Sequence, residues 1–272
     1  MTTFLAISIT SFLWLLIIRE RDSIEPESFW NLIKAVVLGG FLSMILLTII
    51  YIPFYMVLPR SFFDLDAVRS GSAWHAKLIF GLYIGIVEES AKAFAALIFT
   101  SKLKAFDEPV DGMIYGMAVG LGFAAIENFE YVSRYSLAVL INRSAFSVPL
   151  HFALGGVWGY GLALAKFKYH NNSRLIIIIP LILAAAVIHG LYDFFCFMGA
   201  SKLSSGMMII FITYSTFFWS FFKTKKLVAV STFLSPGECS NCRTVNESSD
   251  IKCRKCGAEL PDRGEFYDGD EK

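Results

Sequence analysis

Glu88, Glu89 and Lys92 fall within five residues of one apolar stretch, Gly85-Ile-Val-Glu-Glu-Ser-Ala-Lys-Ala-Phe94. Three later apolar stretches carry further groups of the same kind: Glu127-Asn128 after Phe123-Ala-Ala-Ile, His151 after Val148-Pro-Leu, and His189 with Asp193. A buried carboxylate acting as general base and a histidine acting as electrophile or metal ligand, placed around a trapped water, are the equipment of hydrolysis. On a helix Glu88 and Lys92 share a face and can pair, whereas Glu89 points about 100° away and has no local cation. Asp193, four residues after His189, can accept from one ring nitrogen and leave the other free for a metal or a proton transfer. Structural alternatives stand beside these readings. Glu88 and Lys92 could form a knot between helices, and His151 could simply hydrogen-bond a neighbouring helix. His75 and His170 fall near the ends of apolar stretches and read as interfacial. There is no HExxH motif and no serine in a nucleophile elbow, and Cys196 has no base close in sequence, so nucleophilic catalysis is not favoured.

The elements that must position these groups are membrane helices. The chain has 272 residues, 56% of them hydrophobic and 17% charged, against roughly 45–50% and about 25% in soluble domains. Ionisable residues cost roughly 2.5 to 3.5 kcal/mol each at a bilayer centre, so Glu88, Glu89 and Lys92 require compensation and are functional candidates by default. Apolar runs at 1–18, 35–59, about 75–99, 110–132, 147–166, 175–199 and 203–222, the third, fourth and sixth interrupted by charges, give an all-α polytopic membrane protein of about seven transmembrane helices. The first run lacks the basic flank and cleavage site of a signal peptide and reads as a retained span. Gly112, Gly116, Gly120 and Gly122 suit close helix packing.

Orientation follows from Lys and Arg in the connections. One side has 11 (Arg19, Arg21, Lys34, Lys102, Lys104, Lys166, Lys168, Arg174, Lys223, Lys225, Lys226) and the other 6 (Arg60, Arg69, Lys77, Arg134, Arg143, Lys202). The expectation is a plasma-membrane protein with its N-terminus outside and its C-terminal tail in the cytoplasm. In that arrangement Glu88, Glu89, Glu127, His151 and His189 all lie between the midplane and the outer face, where they can surround one cavity. A net charge of +1 gives no reason to expect a nucleic-acid partner.

Beyond the last span the composition turns polar. Cys239-Ser-Asn-Cys242 and Cys253-Arg-Lys-Cys256 form two CxxC knuckles ten residues apart. Together they supply a four-thiolate set suited to structural Zn²⁺, and Gly257 fits the turn of a zinc ribbon. Expected boundaries are a transmembrane domain 1–222, a linker 223–234, a zinc ribbon 235–260 and a polar tail 261–272. A redox pair is the competing reading of the cysteines, and the ribbon's partner is not legible.

Glu88-Glu89-x-x-Lys92, Phe123-x-x-x-Glu127-Asn128, His151 opening a Gly-rich span and His189-x-x-x-Asp193 occur in the order and spacing of the PrsW family. These intramembrane proteases are related to the CAAX prenyl proteases and bacteriocin-processing enzymes. Glu25-Pro26 and Asp111-Gly112 also resemble the family, and the likeness covers about residues 1–222. It implies hydrolysis of a peptide bond in a membrane-anchored protein substrate lying in the lipid bilayer, typified by an anti-sigma factor. It further implies that Glu88, Glu89 and His189 carry the catalytic core, with Glu127 and His151 in the same site and Lys92, Asn128 and Asp193 supporting. His151, His189 and Glu127 could hold a catalytic metal; the same residues could equally activate water without one. The alternative class is a proton-coupled transporter or channel using the same acids and histidines, which should show repeat symmetry and a path to both faces. No such repeat is visible. A third reading makes the body an inactive receptor that delivers the tail's partner.

Overall fold

The computed structural model describes residues 2–71, 73–169, 174–199, 202–235, 237–247 and 250–260. His170 and the polar segment 261–272 lie outside the described residues. Seven long helical rods are present among them: α1 Thr2–Arg19, α2 Phe29–Val57, α3 Trp74–Thr100, α4 Pro109–Arg134, α5 Val139–Lys168, α6 Arg174–Gly199 and α7 Leu203–Val228. Six are apolar enough to cross a membrane. The seventh, α3, is long enough at 27 residues, about 40 Å at 1.5 Å per residue, but Glu88, Glu89 and Lys92 interrupt its hydropathy.

Some helix ends differ from the expected runs because hydropathy does not see caps or wound turns. Helix α2 begins at Phe29, before the uncharged run, where Ser28 Oγ accepts a hydrogen bond from Asn31 N at 3.2 Å. Helix α5 begins at Val139 and passes through a wide π turn at Arg143–Ser147 before His151. Pro149 has no N–H to offer the preceding turn, and the Ala145 carbonyl instead accepts from Tyr214 Oη on α7 at 3.1 Å. Helix α7 continues to Val228, with Lys225 and Lys226 in the last turn, where cations suit the negative end of the helix dipole.

In the tail, the four thiols are unbridged. Their sulfurs all lie within 4.8 Å of one another, with Cys239–Cys256 at 3.7 Å and Cys242–Cys253 at 3.5 Å. Four sulfurs about 2.3 Å from a tetrahedral ion should be about 3.8 Å apart, so the cluster fits a small metal-binding tail. The knuckles are built alike. Arg243 N reaches back to the Cys239 carbonyl at 2.8 Å and Gly257 N to the Cys253 carbonyl at 2.9 Å, with both residues in the left-handed region at φ 59° and 72°. The backbone N–H of Cys256 holds the Cys253 thiol down to about 6, which favours the thiolate that a metal takes.

Helices α4 and α5 form the centre of the bundle. The apolar stretch of each is 89% buried, against 17% for α1 and 22% for α2, whose Phe4, Leu5, Ile45 and Ile49 form part of an exposed apolar face. The two central helices meet through glycines. A Cβ on Gly116 would collide with the Gly155 carbonyl, one on Gly120 with the His151 carbonyl, and one on Gly112 with the Gly159 carbonyl 2.7 Å away. Helices α3 and α6 approach in the same way, Gly85 lying against the Ala186 carbonyl and Gly81 against the Gly190 carbonyl. Both contacts border the acidic and histidine positions, so the backbone approach that the glycines permit sets how near those side chains come. Gly116→Ala should therefore destabilise the protein by about 2 kcal/mol, as overpacking does. Gly71→Ala, whose Cβ would meet nothing within 4 Å, should leave the unfolding midpoint unchanged. Thermal unfolding of the two variants in detergent micelles checks this.

Candidate active site

Lys92 is the hub. It is fully buried on α3, and its ammonium lies 2.7 Å from Glu89 Oε1, 3.1 Å from Glu88 Oε2 and 3.0 Å from His151 Nδ1. The ring of Phe123 covers it at 3.9 Å. Glu89 is not left without a cation, as the i, i+4 pairing suggested; residues three apart are also neighbours on a helix, and Lys92 sits closer to Glu89 than to Glu88. Glu89 Oε1 also contacts His189 Nδ1 at 2.8 Å, and its Oε2 accepts from Trp158 Nε1 at 3.1 Å. Trp158 lies seven residues after His151, nearly two helical turns, and so on the same face. That spacing was visible in the sequence.

Donor and acceptor roles follow from this network. An ammonium can only donate, so His151 Nδ1 accepts and its Nε2–H faces Glu127 Oε2 at 2.9 Å. His189 gives Nδ1–H to Glu89, leaving Nε2 as its free nitrogen, with Asp193 Oδ2 at 3.7 Å and Glu88 Oε2 at 3.9 Å. Both distances are too long for a direct hydrogen bond and suit a water that bridges the groups from one side. The tautomer-fixing contact expected of Asp193 is thus made by Glu89, from a different helix.

Glu127 is shared between His151 and Arg143, whose Nη2 lies 2.7 Å away; Arg143 Nε donates to Asn128 Oδ1 at 2.5 Å, and its guanidinium lies over Tyr131 at 4.0 Å. Sequence reading assigned Arg143 to an outer connection. The π turn carries it inward, and no spacing in the sequence announces that. Glu88, Glu89, Glu127, His151 and His189, with Lys92, Asn128 and Asp193, therefore come together as one cluster from α3, α4, α5 and α6.

Within the cluster the side chain of Glu88 is 16% exposed and that of Glu89 1%. Among the described residues Glu88 is also the one charged residue lining a cavity of about 340 Å³ between α2 and α3, walled by Leu47, Tyr51, Phe63, Phe80 and Tyr83.

The donors present fit a metal ion. Glu88, His151 and His189 each place one ligand atom within 4.8 Å of the others, and mixed imidazole and carboxylate ligation is usual in catalytic zinc sites; His151 would ligate only by giving up its contact with Lys92, since its two nitrogens otherwise face Lys92 and Glu127. This set differs from the expected one, because Glu127 is engaged by Arg143 and Glu88 takes its place.

Removing Lys92 leaves two buried carboxylates without their cation, which typically costs 3–5 kcal/mol. Lys92→Met should lower the unfolding midpoint sharply in detergent, while Lys102→Met, on the exposed loop after α3, should not.

Comparison with known proteins agrees with this arrangement. A family model described as "PrsW family intramembrane metalloprotease" matches residues 27–221, which leaves the four tail cysteines outside the match. Protease PrsW of Clostridioides difficile (strain 630) is 32% identical over 183 residues, 65% of this chain and 71% of that protein. Protease PrsW of Oceanobacillus iheyensis is 27% identical over 189 residues, 70% of this chain and 78% of its own length. For Protease PrsW of Bacillus subtilis (strain 168) the figures are 33% over 110 residues, 40% and 50%. No solved structure matches. Since the family model spans well over half of the sequence and takes in every member of the buried cluster, the chain belongs to the PrsW family of intramembrane metalloproteases.

Proposed function

We propose that this protease hydrolyses a peptide bond of a membrane-anchored protein, with Glu88 and His189 activating the water. The observation that carries the assignment is the convergence of His189 Nε2, Glu88 and Asp193 at 3.7–3.9 Å, beyond direct hydrogen bonding, with Glu88 bordering an apolar cavity. A hydrophobic segment of substrate suits the cavity walls, and its scissile carbonyl would stand beside Glu88. Glu88 takes a proton from water as the new C–O bond forms, and the proton passes to the amide nitrogen as the C–N bond breaks. Glu89 holds His189 in one tautomer. Lys92, with Arg143 behind Glu127, offers positive charge where the carbonyl oxygen becomes negative. A metal ion held by Glu88, His151 and His189 would displace Lys92 from His151 and supply Lewis-acid polarisation in place of the base role of Glu88. A signalling regulator of the anti-sigma type is the substrate class that the family resemblance suggests.

The charge count supports an N-terminus outside, a cytoplasmic tail, and entry of water and substrate from the outer half. It also supports a body of 1–222, a linker of 223–234 and a ribbon of 235–260 that holds zinc in its four thiolates and recognises a partner of its own.

Three measurements test these readings. Membrane proteomes of cells carrying the active chain should contain a cleavage fragment that falls by at least about 100-fold with Glu89→Gln; an unchanged fragment removes the assignment. The 235–260 peptide should bind one zinc per chain, and no stoichiometric zinc refutes the ribbon. Leu137→Cys should react with an impermeant thiol reagent applied outside intact cells, and Lys225→Cys should not. The reverse pattern inverts the topology.

A further inference from the structure

A second group of acids lies at the tail-bearing end of the bundle, about 24 Å from Glu127 along α4 at 1.5 Å per residue. Asp22 follows α1, Glu108 precedes α4, and Asp111 lies in its first turn; they are 1%, 0% and 0% exposed, and one oxygen from each lies within 4.8 Å of the others. Three carboxylates at such distances in a dry interior repel one another unless a positive charge joins them. Among the described residues none of the three forms an ion pair. Arg21, next to Asp22 in sequence, lies over the Phe221 ring at 4.0 Å, and Arg19 lies over the Phe29 ring at 4.7 Å with its Nε on the Glu27 carbonyl.

Each carboxylate is anchored through one oxygen only. Asp22 Oδ1 accepts from Ile24 N and Glu25 N, both at 3.1 Å; Asp111 Oδ2 accepts from Asp107 N at 2.9 Å and Glu108 N at 2.8 Å; and Glu108 Oε2 accepts from Ser231 Oγ. Burial pushes the Glu108 carboxyl up to about 8, so a cation competes there with a proton. The second oxygens, Asp22 Oδ2, Glu108 Oε1 and Asp111 Oδ1, are buried and have no hydrogen-bond partner.

An independent sign comes from Tyr115 and Glu27. Tyr115 lies one turn after Asp111 on the same face and is fully buried, and its hydroxyl faces Glu27 and Asp111 without reaching good hydrogen-bond geometry to either. Glu27 is 2% exposed, and its Oε1 is unpartnered too. Unsatisfied buried oxygens from the loop after α1, the start of α4 and a tyrosine are thus gathered in one place.

We propose that Asp22, Glu108 and Asp111 bind a hard divalent cation of the Mg²⁺, Mn²⁺ or Ca²⁺ class. An all-oxygen donor set with no imidazole or thiolate selects such ions over zinc. Because Ser231 beyond α7 bonds Glu108 and Thr232 Oγ1 donates to the Asp107 carbonyl at 3.1 Å, the ion fastens the segment leading to the cysteine tail onto the bundle. The site is separate from the Glu88 cluster and does not depend on the function proposed for it.

The test uses the full-length, zinc-loaded chain in lipid nanodiscs, titrated with Mn²⁺ and followed by electron paramagnetic resonance. One Mn²⁺ equivalent should be weakened at least tenfold by Asp22→Asn and by Asp111→Asn, and should be retained in Glu88→Gln. Asp22 lies in a loop, so its variant serves if Asp111→Asn does not fold. Wild-type protein should also unfold at a higher temperature in millimolar Mg²⁺ than in K⁺ of equal ionic strength. Equal Mn²⁺ binding by wild type and both Asn variants overturns the proposal, as does Mn²⁺ binding that only Glu88→Gln abolishes, or a wild-type midpoint indifferent to Mg²⁺.

Discussion

An ammonium group buried among two carboxylates and an imidazole holds the centre of this molecule. Lys92 compensates Glu88 and Glu89 on its own helix and reaches His151 on α5. Without it, charges that lipid excludes would have no place in α3. Its position also fixes the polarity of what surrounds it. Because Lys92 donates to His151 Nδ1, His151 must present Nε2–H to Glu127. Because Glu89 is pinned by Lys92 and Trp158, it can hold His189 by Nδ1 and free Nε2. A chain of single-valued hydrogen bonds therefore runs from one lysine to the nitrogen facing Glu88.

Such contacts require backbones closer than ordinary side chains permit. Gly85 against the Ala186 carbonyl lies one turn from Glu88 and Glu89 on α3 and one turn from His189 on α6, while Gly120 against the His151 carbonyl brings α4 and α5 together beneath Glu127. Small residues in the two central helix pairs and the ionic hub are thus two halves of one device. The glycines allow the approach, and the charges make it specific.

Much of this was legible in the sequence, because a charged residue in an apolar run must be explained by a partner. Four such runs in order identified the membrane architecture and the residues that gather. Partner choice was less legible. Glu89 rather than Asp193 fixes His189, since cross-helix distance depends on glycine packing that a linear pattern does not encode. Arg143 was read as a surface charge because a π turn shifts the face it presents by part of a turn. The start of α2 at Phe29 was missed for a different reason: a capping serine acts through its hydrogen bond and leaves no mark on hydropathy. The CxxC spacing, by contrast, specifies its geometry almost completely.

If the hydrogen-bonded chain from Lys92 to His189 is the catalytic unit, its members cannot contribute independently. The most direct measurement is a double-mutant cycle on cleavage of one membrane-anchored substrate, using Glu89→Gln, His189→Gln and the double variant in nanodiscs. The account predicts that either single change lowers the rate about as far as both together, because each breaks the same chain. Rates that fall in the double variant by the product of the two single effects would contradict it, and would mean that Glu89 and His189 do not act through one another.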